Sequence, residues 1–187
     1  DCLVSEPDRG IYDAMNKGVQ MATGDFILFE NAGDILCNKH VLEDVARIMW
    51  RKEADIYYGH AIIQYAKRRV LLQEDRGKRY KMLAGYMPNH QNVVASKFLL
   101  EKYPFSEKYK IRSDFDWLLR MQKKYKMYNL QMPISMFSTD GVSRRAKNRK
   151  VMDCETKHIV VDAYPWMKPF FPIYKNLVEA IREYQGY

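Results

Sequence analysis

The sequence predicts a layered α/β fold, and three observations point to it. Apolar residues alternate along the chain between helical spacing and short strand-like runs, the pattern of helices packed on a sheet. Phe26-Ile27-Leu28-Phe29 is an unbroken apolar run, as expected of a strand covered on both faces, and it leads into the acidic, glycine-containing break Glu30-Asn31-Ala32-Gly33-Asp34. Finally, 187 residues with 47% hydrophobic and 29% charged side chains suffice for one domain with a real core.

The elements follow in order. Ile11, Ala14, Met15, Gly18 and Val19 have helical spacing over residues 11–20, with Asp8 placed to cap the start. Gly24 ends the next turn, and the Phe26–Phe29 strand follows. A second helix puts Val41, Leu42, Val45, Ile48 and Met49 on one face. Residues 55–64 and 69–73 read as strands joined by a basic turn, and 74–86 as a polar loop. Ser96 is a candidate cap for a short helix that Pro104 ends. Ser113 or Asp114 opens a stronger helix through Trp117, Leu118 and Met121. Residues 126–137 read as a strand interrupted at Pro133, residues 138–143 as a turn, and 144–162 and 174–184 as helices.

Net charge is +8, which favours anionic partners such as nucleotides, nucleic acid or lipid headgroups. No nucleic-acid-binding module accompanies the charge, so nucleic acid is not expected as a partner. The three cysteines, Cys2, Cys37 and Cys154, have neither metal-ligand spacing nor the density of a disulfide scaffold, which suits a reducing, cytoplasmic setting. No stretch is long and apolar enough to span a membrane. The 14 tyrosines fit either half-buried strand packing or surfaces that meet sugars, bases or proteins.

Several residues are placed for chemistry. Asp34 follows an apolar strand, where open α/β sheets bind ligands, and its carboxylate could hold a hard divalent ion or simply close a turn. Asp114 and Asp116 stand in the first turn of a helix, where either could be a general base or a helix-end carboxylate; two residues apart, they point in different directions. His90 and Gln91 can exchange hydrogen bonds with sugar hydroxyls, or form a satisfied loop cluster. Arg9, Lys17 and the basic clusters at 67–69, 76–81 and 144–150 suit phosphates or solvent equally. The segment from Ala163 to Tyr174, dense in aromatics and proline, suits a membrane interface or a tail strapped across the core.

Residues 5–18 (Ser-Glu-Pro-Asp-Arg-Gly-Ile-Tyr-Asp-Ala-Met-Asn-Lys-Gly), Ala22-Thr23-Gly24 and Asn31-Ala32-Gly33-Asp34 carry more than periodicity. With His90-Gln91, the segment Phe105–Arg120 and Gly141-Val142-Ser143, they resemble family 2 glycosyltransferases of the GT-A fold, in order from residue 5 to about 143. The resemblance implies a GT-A-like mixed sheet flanked by helices over 1–143. A basic, aromatic helical extension over 144–187 would pack on the core or on a membrane surface. The strand, helix and acidic second strand that open the family fold do not precede residue 1, so the expected core is N-terminally truncated.

The implied activity is transfer of a sugar from a nucleotide-sugar donor to a hydroxyl of a glycan or lipid-linked acceptor, with inversion, at the inner face of the cell membrane. Asp34 would bind Mg2+ or Mn2+ and through it the donor diphosphate; Gly33 stands where many relatives carry another acid. Asp114 would be the general base and Asp116 a supporting carboxylate. His90 and Gln91 would line the sugar or acceptor pocket, and Asp8, Arg9 and Asn16 would lie near the nucleotide. The alternative is a non-catalytic protein that keeps the scaffold and binds a glycan or a partner.

Overall fold

The computed structural model describes residues 2–65, 68–72, 77, 79–138 and 148–184. Helices and strands alternate as the periodicity predicts. α1 (Ile11–Met21), β1 (Phe26–Leu28), β2 (Ile35–Leu36), α2 (Val41–Arg51), β3 (Ile56–Gln64) and β4 (Arg69–Leu72) come first. They are followed by α3 (Arg79–Leu83), β5 (Val93–Ser96), α4 (Lys97–Lys102), α5 (Ser113–Met121), β6 (Met127–Ser138), α6 (Arg149–Ala163) and α7 (Phe171–Tyr184).

The sheet is mixed, with order β1-β5-β3-β6-β2 and β4 added to β3. β3 and β6 pair in parallel, and every other pairing among the described residues is antiparallel. Side-chain alternation assigns the two faces. Ile56 and Tyr58 of β3, with Val93 and Ala95 of β5, join the core beneath α1, α4, α5 and α6. Tyr57 and Val94, the residues between them, join a second core with Val41 and Val45 of α2. The molecule is thus a sheet between two helical layers, the GT-A-like α/β arrangement expected.

Several local expectations change. β1 pairs only with β5 among the described residues; Ile27 is buried, whereas Phe26 is 38% exposed and meets the Tyr57 ring edge-on. The Phe26–Phe29 run is an end strand of this sheet among the described residues; Ile27 and Phe29 pack in the first core and Leu28 against the second, so both faces are covered in part. Asp8 does not cap α1: Gly10 is the cap residue, and Asp8 Oδ1 accepts from the Gly10 N–H at 2.9 Å. Leu42 of α2 is exposed, because the buried stripe is narrowed to Val41 and Val45. Fully buried Met82 anchors a short helix, α3, in the stretch expected to be loop. Ser96 precedes α4 without a side-chain cap bond.

Pro133 does not interrupt β6. The β3–β6 register shifts between Tyr58 and Ala61, so β6 bulges where Gln131 takes φ 57 and Pro133 faces His60. A bulge is where a sheet tolerates proline. Gly59 lies opposite, and a Cβ there would stand 2.6 Å from the Met132 carbonyl oxygen. α7 begins at Phe171, three residues earlier than expected, with Pro172 tolerated in its first turn. Of the expected turn at 138–143, Ser138 ends β6, and 139–143 with the basic residues Arg144, Arg145 and Lys147 lie outside the described residues.

Candidate active site

The chain leaves β1 and turns at once. Asp34 N–H donates to Asn31 O at 2.9 Å, and Asn31 N–H donates to Asp34 Oδ2 at 3.1 Å, closing a tight loop. Gly33 takes φ 92 within it, a conformation that favours glycine.

The turn at 90–92 meets this loop. Gln91 Nε2 donates to Asp34 Oδ2 at 3.0 Å. Asn31 Nδ2 lies 2.6 Å from His90 Nε2. With that amide donating, Nε2 accepts and the imidazole proton sits on Nδ1, which lies 3.3 Å from Asp114 Oδ2. Asp34, Asn31, His90 and Asp114, from three separate segments, thus form one connected polar group. Ser135 of β6 supports it from below. Its N–H donates to Asn92 Oδ1 at 2.8 Å, and its hydroxyl lies between Gln91 O and the Glu30 carboxyl. Burial pushes the Glu30 carboxyl up, the Asp34 charge adds to this, and Ser135 opposes it.

Asp114 opens α5 behind a loop held by one side chain. The Glu155 carboxylate of α6 accepts from the N–H groups of Lys110 at 2.7 Å, Ile111 at 3.0 Å and Arg112 at 3.0 Å. Arg112 stacks on the Phe115 ring and donates to Gly85 O at 2.6 Å. Asp114 Oδ1 lies 3.0 Å from the Tyr12 hydroxyl and accepts from Phe115 N–H at 2.8 Å. Burial would raise the Asp114 carboxyl, but His90, Arg112 and the Phe115 N–H outweigh it and hold it below the usual carboxylate range. An ionised carboxylate in a shielded position can take a proton. Behind it lies an apolar pocket lined by Phe29, Phe105, Trp117 and Leu118, with His90 and Asp114 as its polar members.

The other expected residues stand apart from this group. Asp116 accepts from Arg120 Nε at 3.0 Å, and burial raises its carboxyl against the pull of Arg120 and Lys108. Arg9 is engaged by Asp13 at 2.9 Å and Glu107 at 2.8 Å. Both ends of the Asn16 amide bond the Phe105 backbone at 2.9 Å, which ties α1 to the loop before α5. Asp8 is exposed beside Gly10. Sequence reasoning missed Tyr12, Glu30 and Asn31 as site residues, although all three lie inside the quoted motifs. It also missed Glu155, which nothing local marks.

The description Glycosyl transferase family 2 matches residues 2–147. The chain belongs to that family. Among similar members, a PGL/p-HBAD biosynthesis glycosyltransferase of Mycobacterium bovis is 31% identical over 117 residues, 62% of this chain and 44% of that protein. An uncharacterized glycosyltransferase of Mycobacterium tuberculosis is 26% identical over 145 residues, 74% of this chain and 54% of that protein. The chain therefore spans about half the length of the curated relatives it matches. The crystal structure of Staphylococcus aureus TarS 1-349 in complex with UDP-GlcNAc superposes with a TM-score of 0.59 at 15% identity, over 83% of this chain and 48% of that one. TarS 1-349 alone gives a TM-score of 0.55 at 14% identity, over 83% and 50%. These two likenesses show the GT-A-like fold of this family 2 chain.

Proposed function

We propose that this chain carries the metal-side and base-side residues of a site that transfers a sugar from a nucleotide-diphosphate sugar to a hydroxyl of a glycan or lipid-linked acceptor, with inversion. The observation that supports it most is the bridge Asn31–His90–Asp114, which joins the loop bearing Asp34 to a buried, ionised carboxylate. In this reading Asp114 Oδ2 takes the acceptor hydroxyl's proton while that oxygen attacks the anomeric carbon, and the nucleotide diphosphate leaves with the bonding pair. His90 orients Asp114, and Gln91 fixes Asp34.

Family 2 enzymes generally use a divalent cation. Among the described residues no group of three or more His, Cys, Asp or Glu side chains could hold one. The residues fit Mg2+ or Mn2+ all the same, because these ions are commonly held by one or two carboxylates with substrate phosphates completing the shell. Asp34 would be the ligand, with Glu30 close enough to feel its charge. Bound there, the ion would offset charge on the leaving diphosphate.

We place the reaction at the inner face of a membrane. No helix of the described residues is long and apolar enough to cross one. Trp166, Phe170, Ile173 and Leu177 are all exposed, beside exposed Lys168, which suits peripheral contact with anionic lipid.

The test is nucleotide release from a panel of donors and acceptors with Mn2+. Asp114→Asn should lower turnover by about 10²- to 10⁴-fold with donor affinity retained. Chelation by EDTA should abolish release, and added Mn2+ should restore it. Wild-type turnover in Asp114→Asn would overturn the base assignment. Absence of metal-dependent UDP binding would favour a non-catalytic scaffold.

A further inference from the structure

Tyr12 is buried in the first turn of α1, its ring tilted against Phe105 at 5.7 Å. Its hydroxyl carries one proton and faces two acceptors, Asp114 Oδ1 at 3.0 Å and Ile111 O at 2.7 Å. We propose that Tyr12 is a positioning residue for Asp114: it fixes one carboxylate oxygen, so that the other is the oxygen presented to the acceptor hydroxyl. This rests on the reading of Asp114 as the base.

The geometry divides the carboxylate. Oδ1 accepts from Phe115 N–H at 2.8 Å and lies 3.0 Å from the Tyr12 hydroxyl, whose one proton it shares with Ile111 O at 2.7 Å. Among the described residues, Oδ2 has the longer 3.3 Å approach of His90 Nδ1. Rotation of the carboxylate would cost both Oδ1 bonds, so the proton-accepting oxygen is set by α1 and by α5 itself. Burial, and then the Asp114 charge, push the Tyr12 hydroxyl far above its ordinary value, so it remains a donor at every working pH.

The second acceptor gives the arrangement two settings. While Asp114 is ionised, the carboxylate is the stronger acceptor and draws the Tyr12 proton. Once Asp114 has taken the proton of the acceptor hydroxyl, Ile111 O stands ready for the same donor. Tyr12 therefore favours the ionised form without leaving a buried hydroxyl unpaired in the other. The charged and titratable groups that face Asp114 are Tyr12 from α1, His90 from the 90–92 turn and Arg112 from the preceding loop. Tyr12 is the neutral hydroxyl among them, so its removal changes no formal charge.

The experiment compares wild type, Tyr12→Phe and Asp114→Asn. The pH profile of kcat/KM is measured, and the Asp114 carboxyl is titrated by ¹³C NMR. Activity needs ionised Asp114, so kcat/KM falls as pH drops through its pKa. Loss of a hydrogen bond to a charged group should raise both the acid limb and the NMR pKa of Tyr12→Phe by about one unit. That is roughly tenfold lower kcat/KM on the acid side, with little change well above the limb and donor KM unchanged. An unmoved carboxyl pKa, or an equal loss at every pH, overturns the proposal and leaves a structural role. If Tyr12→Phe does not fold, 3-fluorotyrosine at position 12, a stronger donor of similar size, should move the limb downward, and an unmoved limb there also overturns it. Wild-type turnover in Asp114→Asn overturns the base reading instead, and the NMR titration alone then decides whether Tyr12 holds Asp114.

Discussion

At the scale of single residues, charge is placed by partners more than by exposure. Asp13, in the first turn of α1, accepts from the Arg9 side chain and backbone at 2.9 Å, and Lys17 lies 3.5 Å away. Chiefly through the Arg9 side-chain bond, its carboxyl is held down to about 2 from an ordinary 3.8. A carboxyl depressed in the folded state stabilises it above the unfolded pKa, and that contribution is lost as pH falls through the folded one. The protein should therefore lose stability between pH values of about 4 and 2. Asp13→Asn should start less stable at neutral pH and show a shallower loss across that window, as read from urea midpoints at each pH. Asp34, His90, Gln91 and Asp114 were legible as candidates chiefly through the family motifs that carry them, since position alone fits turn and helix-end roles as well. The sequence could not say that His90 meets Asp114, since that contact joins two loops brought together only by β5 and α5. Nor could it separate Asp116, whose carboxylate turns to Arg120 on its own helix.

At the scale of elements, the long helices were read closely and the sheet less so. α5 shows its buried stripe directly in the spacing of apolar residues, whereas in α1 Met15 and Val19 are buried but Ile11, Ala14 and Gly18 of the expected face are exposed, and in α2 Leu42 is exposed. β2 spans two residues and β5 four, too short for periodicity to announce. β6 hides differently. Its proline reads as a break, yet the strand absorbs it by bulging against β3, and the bulge depends on the absence of a side chain at Gly59. Gly59→Ala would drive a methyl to 2.6 Å from a backbone oxygen and 2.8 Å from Ile134 Cγ1. It should cost about 3 kcal/mol, the upper end of overpacking penalties, measured by chemical denaturation. If stability changes by less than about 0.5 kcal/mol, the close approach of β3 and β6 is not as described.

At the scale of the whole molecule, the candidate site is a meeting of distant parts. The loop after β1, the turn before β5 and the start of α5 each contribute, and β6 braces them through Ser135. The Glu155 carboxylate adds α6 to that set by holding three consecutive backbone N–H groups just before Asp114. Glu155→Gln keeps the size but offers one acceptor oxygen in place of two. It should lower stability by about 1–3 kcal/mol and depress turnover more than donor binding, as a thermal melt and a UDP titration would show. Glu155 also bears on how such a protein is cut for study. The family match ends at residue 147, so a piece trimmed to the matched segment would contain every recognisable motif and still lack the carboxylate that holds the loop before Asp114. Boundaries drawn by likeness alone would then remove that support, and any loss that followed would be misread as a fault in the motifs.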